Sequence, residues 1–182
     1  MSKRTLLNGQ EIQVILQRLA CQLIENHSDF KNTVIIGLQP RGVFLANRIQ
    51  AILEAELKEN APAFGKLDIT FYRDDFRRGD KILQANQTEI NFIVENKHVI
   101  FVDDVLYTGR SIRSALTAIQ SFGRPKTVEL LTLIDRRFSR HLPIQPDYNG
   151  KQVDAINHER VVVKWKENDG EDVVEIIRLN DE

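Results

Sequence analysis

Asp103 and Asp104 stand side by side at the end of the apolar run Val99-Ile100-Phe101-Val102, and Val105-Leu106-Tyr107-Thr108-Gly109-Arg110-Ser111 follows them. An apolar, largely β-branched run between helical patterns reads as a buried parallel strand. Its carboxyl end is where open α/β sheets collect ligands. Consecutive side chains on extended backbone point to opposite faces, so the two acids diverge unless the chain turns between them. Such a pair suits the vicinal hydroxyls of a ribose, directly or through a divalent cation. Gly109 permits a tight backbone path, and Thr108 and Ser111 supply hydroxyls. A helix is expected to start here, with Ile112, Ala115, Leu116 and Ile119 as its apolar stripe. Unpaired N–H groups and the helix dipole would then favour phosphate. The Walker pattern is absent, because no Gly-Lys-Ser/Thr follows at its spacing. The plainer alternative is a solvated strand end followed by a helix cap.

The elements that must hold this segment are legible on both sides of it. Asn8 is placed to cap a helix running to about Glu25, with Ile12, Ile15, Leu16, Leu19 and Leu23 at helical spacing. Thr33 to Leu38 reads as a buried strand, Gly37 to Gly42 as a turn, and Val43 to Leu57 as a helix broken at Asn60-Ala61-Pro62. Leu67 to Tyr72 alternates as a strand. Residues 73–91 are polar and weakly patterned, which predicts a long mobile loop or hairpin, and long loops in compact domains are usually functional. The alternative is an exposed hairpin with no catalytic part. Phe122-Gly123-Arg124-Pro125 ends the central helix, and Thr127 to Ile134 is a further buried strand. Arg136 to Asp154 reads as irregular. Arg160 to Lys166 and Val173 to Leu179 alternate as an antiparallel pair turning at Asn168-Asp169-Gly170. Alternating strands and helices predict an α/β fold: a mainly parallel twisted sheet with helices on both faces.

The chain has 182 residues, a net charge of −1 and 42% hydrophobic residues. This suits one domain, residues 1–182, with a sizeable core rather than a disordered chain. Near-neutral charge gives no bulk drive toward nucleic acid, so any basic surface must be local. Cys21 is the single cysteine, cannot form an internal disulfide, and is expected as a small core or partly buried residue. His27, His98 and His158 show no metal-ligand spacing. The first residues lack an apolar signal region, and no apolar run approaches membrane-spanning length, so a cytoplasmic protein with no membrane partner is expected.

The Asp103-to-Ser111 string resembles the phosphoribosyl-pyrophosphate signature of type I phosphoribosyltransferases. Within that superfamily the chain is most similar to the PyrR family of pyrimidine-operon attenuators and uracil phosphoribosyltransferases. Gly37-Leu38-Gln39-Pro40-Arg41-Gly42-Val43-Phe44-Leu45-Ala46 resembles its pyrophosphate loop. Asp68-Ile69-Thr70-Phe71-Tyr72-Arg73-Asp74-Asp75 resembles the strand entering its mobile loop. Asp135-Arg136, Leu142-Pro143-Ile144 and Asp147-Tyr148-Asn149-Gly150-Lys151 resemble its base-side hood, about 135–182. The resemblance implies a type I phosphoribosyltransferase fold converting uracil and phosphoribosyl pyrophosphate to UMP and pyrophosphate. It implies Asp103 and Asp104 on the ribose, with Mg²⁺ held through water. It implies Arg41 and Arg73 on pyrophosphate, where a planar guanidinium grips two oxygens. Pro40, Gly42 and Val105 to Ser111 would complete the sugar-phosphate site, with Asp135 and Arg136 toward the base. Pro40 stands where many relatives have threonine, which makes a cis Gln39-Pro40 bond more accessible.

Tyr107 bears on the choice of base. Purine-type relatives place an aspartate there, as the resemblance implies. A tyrosine, neutral near pH 7, cannot replace that carboxylate, and a pyrimidine has no imidazole nitrogen that needs it. Alternatively Tyr107 only packs against the phosphate turn; both readings disfavour a purine. The resemblance also implies binding to pyrimidine-operon leader mRNA and a homodimer or homotetramer. Arg18, Arg136, Arg137, Arg140, His141 and Lys151 are the candidate cations for RNA, against the alternative that Arg136 and Arg137 serve the active site or a subunit interface. The second class of function is therefore an RNA-binding transcriptional regulator with little or no catalysis. Three departures from the family bear on it. Gln145 stands where arginine is common, the 137–141 segment is one residue longer, and Asn26 and His27 leave the first helix less basic.

Overall fold

The computed structural model describes residues 2–72, 86–154 and 159–178. Five parallel strands form the central sheet: β2 (Thr33–Leu38), β3 (Ala63–Leu67), β4 (His98–Leu106), β5 (Thr127–Arg136) and β6 (Tyr148–Val153), in the order β3-β2-β4-β5-β6. A second, antiparallel sheet is built from β1 (Ser2–Leu7), β8 (Val173–Arg178) and β7 (Glu159–Lys164), in that order. Helices α1 (Gly9–His27), α2 (Gly42–Leu57) and α3 (Arg110–Ile119) cover the parallel sheet, and α4 (Lys166–Asp169) is one turn between β7 and β8.

Period-two alternation along the buried strands divides the core in two. Ile35, Ile100 and Val102 pack with Leu16, Leu19, Leu45 and Ile49 of α1 and α2. Val34, Ile36, Leu38, Val99 and Phe101 pack instead with Ile112, Ala115 and Ile119 of α3. The near-continuous apolar runs are thus strands buried on both faces, as parallel sheets require.

Helix α1 begins as expected. The Asn8 side chain accepts from the Glu11 N–H at 3.0 Å, and the Glu11 carboxylate accepts from the Asn8 N–H at 2.8 Å, a reciprocal capping box. The helix runs to His27, slightly past the expected end.

Three expectations need correction, and one strand was not foreseen. Leu67 to Tyr72 is not a strand: β3 ends at Leu67. There the Asp68 carboxylate accepts from the Thr70 N–H at 2.9 Å and the Thr70 hydroxyl at 2.6 Å, winding the chain into a 3₁₀ turn over Thr70–Tyr72. The stretch 136–154 is not wholly irregular, because β6 pairs in parallel with β5 from Leu131↔Tyr148 to Arg136↔Val153. Strand β1 has polar residues at its start and no apolar run to announce it; it forms by pairing with β8. Cys21 is exposed, on the solvent side of α1.

Residues 73–85, and so Arg73 and most of the expected mobile loop, lie outside the described residues. The returning end is fixed to β3: Glu89 and Lys66 exchange backbone hydrogen bonds of 2.8 and 2.9 Å, and their side chains pair at 2.9 Å.

Candidate active site

The site forms where two strand-to-helix turns meet. Strand β2 pairs with β4 as far as Gly37↔Val102, whereas β5 continues beside β4 to Leu106↔Asp135. Asp103 and Asp104 are therefore still in β4, just past the point where one neighbouring strand ends. The turn into α2 takes that vacated side. A Cβ on Gly42 would lie 2.4 Å from the Val102 carbonyl oxygen and 2.9 Å from the Asp103 Cα, so only glycine allows this approach. The Gln39–Pro40 peptide leading into the turn is cis.

The two acids diverge, as strand alternation demands. Asp103 borders a cavity of about 210 Å³ walled by Val105 to Ile112 and Ser114. Asp104 borders a second cavity, of about 510 Å³, with Arg41, Arg136 and Val161 to Val163. Val105 and Tyr107 line both, so the cavities adjoin at these residues.

Burial pushes the Asp104 carboxyl above its ordinary value, and the Arg41 guanidinium, with Nε 3.3 Å from Oδ2, opposes that shift. The Asp103 carboxylate accepts from the Asp104 N–H at 3.0 Å. Arg41 also donates from Nη2 to Asp169 Oδ2 at 3.1 Å and to the Val163 carbonyl, tying α4 and β7 to the acid corner. The Trp165 N–H holds the Asp169 carboxyl below its usual range, with Arg41 assisting. Asp169 and Val163 were not foreseen as site residues; Asn168-Asp169-Gly170 read only as a hairpin turn.

Gly109 caps α3 with φ +88°, a left-handed conformation that favours glycine, and has no side chain to bond the first N–H groups; the Thr108 hydroxyl reaches only that of Arg110, at 3.4 Å. The helix start is therefore open to an anion. Behind the turn, the Leu106 and Tyr107 carbonyls accept from Arg140 Nη1, and the Thr108 carbonyl accepts from the His141 N–H at 3.0 Å. On the larger cavity, the Arg136 guanidinium lies 4.1 Å from the centroid of the Tyr107 ring and donates to the Glu159 carbonyl at 3.0 Å. Burial pulls the Arg136 pKa down from its usual value.

Asp103, Asp104, Arg41, Gly42, Arg136 and Val105 to Ser111 thus converge. Asp135 is buried but is engaged by Arg140. The candidate RNA cations divide. Arg18 donates from α1 to the Gly150 carbonyl at 2.6 Å, Lys151 to the Leu6 carbonyl at 3.3 Å, and Arg137 pairs with Asp154 at 2.7 and 2.8 Å. These three and His141 are exposed, whereas Arg140 turns inward.

The phosphoribosyl transferase domain model matches residues 2–168. The Bifunctional protein PyrR of Desulfosudis oleivorans is 46% identical over 175 residues, covering 96% of each chain. That of Deinococcus radiodurans is 42% identical over 179 residues, covering 98% of this chain and 97% of its own. Among solved structures, a hypoxanthine phosphoribosyltransferase from Staphylococcus aureus superposes with a TM-score of 0.68 at 21% identity, over 94% of this chain and 90% of that one. The hypoxanthine phosphoribosyltransferase of Trypanosoma cruzi gives a TM-score of 0.68 at 15% identity, over 97% of each. Those two likenesses speak to the fold, a type I phosphoribosyltransferase sheet with its helices. No helix among the described residues is long and apolar enough to cross a membrane. With the domain matched over nearly its whole length and relatives above 40% identity end to end, the chain belongs to the phosphoribosyltransferases and, among them, to the PyrR family.

Proposed function

We propose that the chain is a uracil phosphoribosyltransferase that makes UMP and pyrophosphate from uracil and phosphoribosyl pyrophosphate. The observation that carries this reading is the divided cavity. The smaller chamber, ringed by the 105–111 turn, suits a sugar phosphate, and the larger one, floored by Asp104 and Arg136, suits a planar base. Tyr107, 46% exposed where the chambers meet, presents an aromatic ring stacked on a cation rather than a carboxylate, which favours a pyrimidine over a purine.

In the transfer, N1 of uracil bonds to C1′ of the sugar as the C1′–O bond to pyrophosphate breaks. The departing oxygen keeps the electron pair, and the N1 proton passes to solvent. The chain's contribution is positioning and electrostatic stabilisation. Asp103 and Asp104 accept from the ribose hydroxyls. Arg41 and Arg73 meet the pyrophosphate, Arg41 by exchanging its Asp169 contact for phosphate oxygens. Asp103 and Asp104 also suit Mg²⁺ held through water, since that ion takes few protein oxygens. When bound, Mg²⁺ would neutralise charge on the pyrophosphate. We assign the whole chain, 1–182, to this one domain, with 135–182 as its hood, and expect a cytoplasmic homodimer or homotetramer, which light scattering checks.

Incubation of the purified protein with phosphoribosyl pyrophosphate, Mg²⁺ and each base in turn tests the reading. UMP formed from uracil alone is expected; turnover of hypoxanthine or guanine without uracil would refute it.

A second activity, UMP-responsive attenuation through leader mRNA, is favoured by the exposed Arg18, Lys151 and Arg137 along β6 and its end, with Phe138, 83% exposed, beside Arg137. Gel shifts of the operon's leader transcript should tighten with UMP. Weak, sequence-indifferent binding unchanged by UMP would leave the enzyme alone.

A further inference from the structure

Arg140 is drawn into the fold against the carbonyls of the phosphate turn and does not line the chamber. Its Nε donates to the Ile144 carbonyl at 2.8 Å. Its Nη1 reaches the carbonyls of Leu106 at 3.3 Å, Arg136 at 3.1 Å and Tyr107, while Nη2 meets the buried Asp135 carboxylate. The neighbouring His141 N–H takes the Thr108 carbonyl. Three successive carbonyls, at 106, 107 and 108, therefore face the 140–141 segment. In a planar trans peptide the N–H points away from its C=O. The N–H groups of Tyr107, Thr108 and Gly109 accordingly face away from that segment; these three residues line the chamber of about 210 Å³, and Asp135, Arg140, His141 and Ile144 do not. Successive N–H groups turned to one side make an anion-binding concavity.

The hood segment also fixes the turn sterically. An added Cβ on Gly109 would come within 3.3–3.4 Å of Ile144 and Leu142, so these side chains already sit against it. A cation on the carbonyl side polarises the peptide units and strengthens the N–H groups opposite.

We infer that Arg140 is a positioning residue for the 5′-phosphate: it acts through the 106–109 backbone, and Asp135 anchors it. This rests on the proposed sugar-phosphate site and assigns to catalysis a residue that the family resemblance had placed with RNA.

The test compares Arg140→Gln, Arg140→Lys and Asp135→Asn in the full-length protein. Readouts are calorimetric affinity for UMP and for inorganic phosphate, KM for phosphoribosyl pyrophosphate and for uracil, and thermal unfolding. Arg140→Gln should weaken UMP and phosphate about tenfold or more, the scale of losing charged hydrogen bonds. KM for the sugar should rise with it, while KM for uracil stays within about twofold, a margin well inside that same scale. Arg140→Lys, with its charge but not its fork of donors, should fall between. Asp135→Asn should show the same selectivity, more weakly. Equal losses for uracil and sugar, or unchanged phosphate affinity in a folded variant, overturn the proposal. Should Arg140→Gln fail to fold, the Lys and Asn variants decide by the same ratio. Phosphate and UMP affinities need no turnover, so a parent protein that binds both yet transfers no base would fail the functional reading while leaving Arg140 tested.

Discussion

Asp104 joins two demands that pull against each other. In the proposed role its carboxylate accepts best from ribose when charged, yet burial lifts its pKa and Arg41 only opposes that rise. A carboxyl raised in the folded state has no effect on stability below the unfolded value and destabilises as pH climbs through the folded one. Asp104→Asn is therefore expected to match the parent in acid and to gain relative stability toward pH 7, read by urea unfolding across pH. A parent that is the more stable at pH 7 would show that the Arg41 contact outweighs burial. Kinetically the same variant, and Asp103→Asn, should lose about a hundredfold in kcat/KM for the sugar, the scale of removing one positioned hydrogen-bond partner. The position of the acids was legible in the sequence, because a largely β-branched apolar run reads as a buried strand and β4 carries both acids toward its end. The Asp169 contact was not: it joins Arg41 to a residue 128 positions away, and nothing local marks it.

At the scale of elements, buried strands with continuous apolar runs and the Asn8 cap were readable from local chemistry. Asn8→Ala should cost about 1 kcal/mol, measured by urea unfolding. Strands β1 and β6 were not readable, since each is polar along part of its length and owes its form to a partner: β8 for one, β5 for the other. Strand β6 also carries a polar anchor at the sheet's amino end. The Tyr148 hydroxyl donates to Glu129 at 2.8 Å, accepts from Asn26 at 3.1 Å, and lies 3.1 Å from His27 Nε2. Burial, assisted by Glu129, pushes its pKa up to about 12, so it stays neutral and able to donate throughout the ordinary range. Tyr148→Phe removes these half-buried hydrogen bonds while His27 and Glu129 keep each other, at 2.9 Å, and should destabilise by about 1 kcal/mol. Because the anchor lies at the end of the sheet remote from Asp104, turnover at 25 °C should not change. A parallel loss of activity in the folded variant would couple the two ends.

Over the whole molecule, a net charge of −1 leaves the proposed RNA affinity to a local patch. Arg18, Arg137 and Lys151 are exposed there, although Arg137 is already paired with Asp154. Three cations on single-stranded RNA predict a slope of log affinity against log salt of about −2, and Arg18→Gln should make it shallower by about 0.7. A slope much steeper than this would require cations outside the patch. The candidate site, by contrast, is assembled by the whole fold: β4 brings the acids, the turn into α2 brings Arg41, the 140–144 segment backs the 106–109 turn, and α4 ties Arg41 in place. A crystal structure of the protein with UMP tests that assembly most directly. The account predicts the 5′-phosphate against the N–H groups of residues 107–111, the ribose hydroxyls on Asp103 and Asp104, and uracil beside Tyr107 and Arg136. UMP held elsewhere, or absent from a crystal grown at saturating UMP, would contradict it.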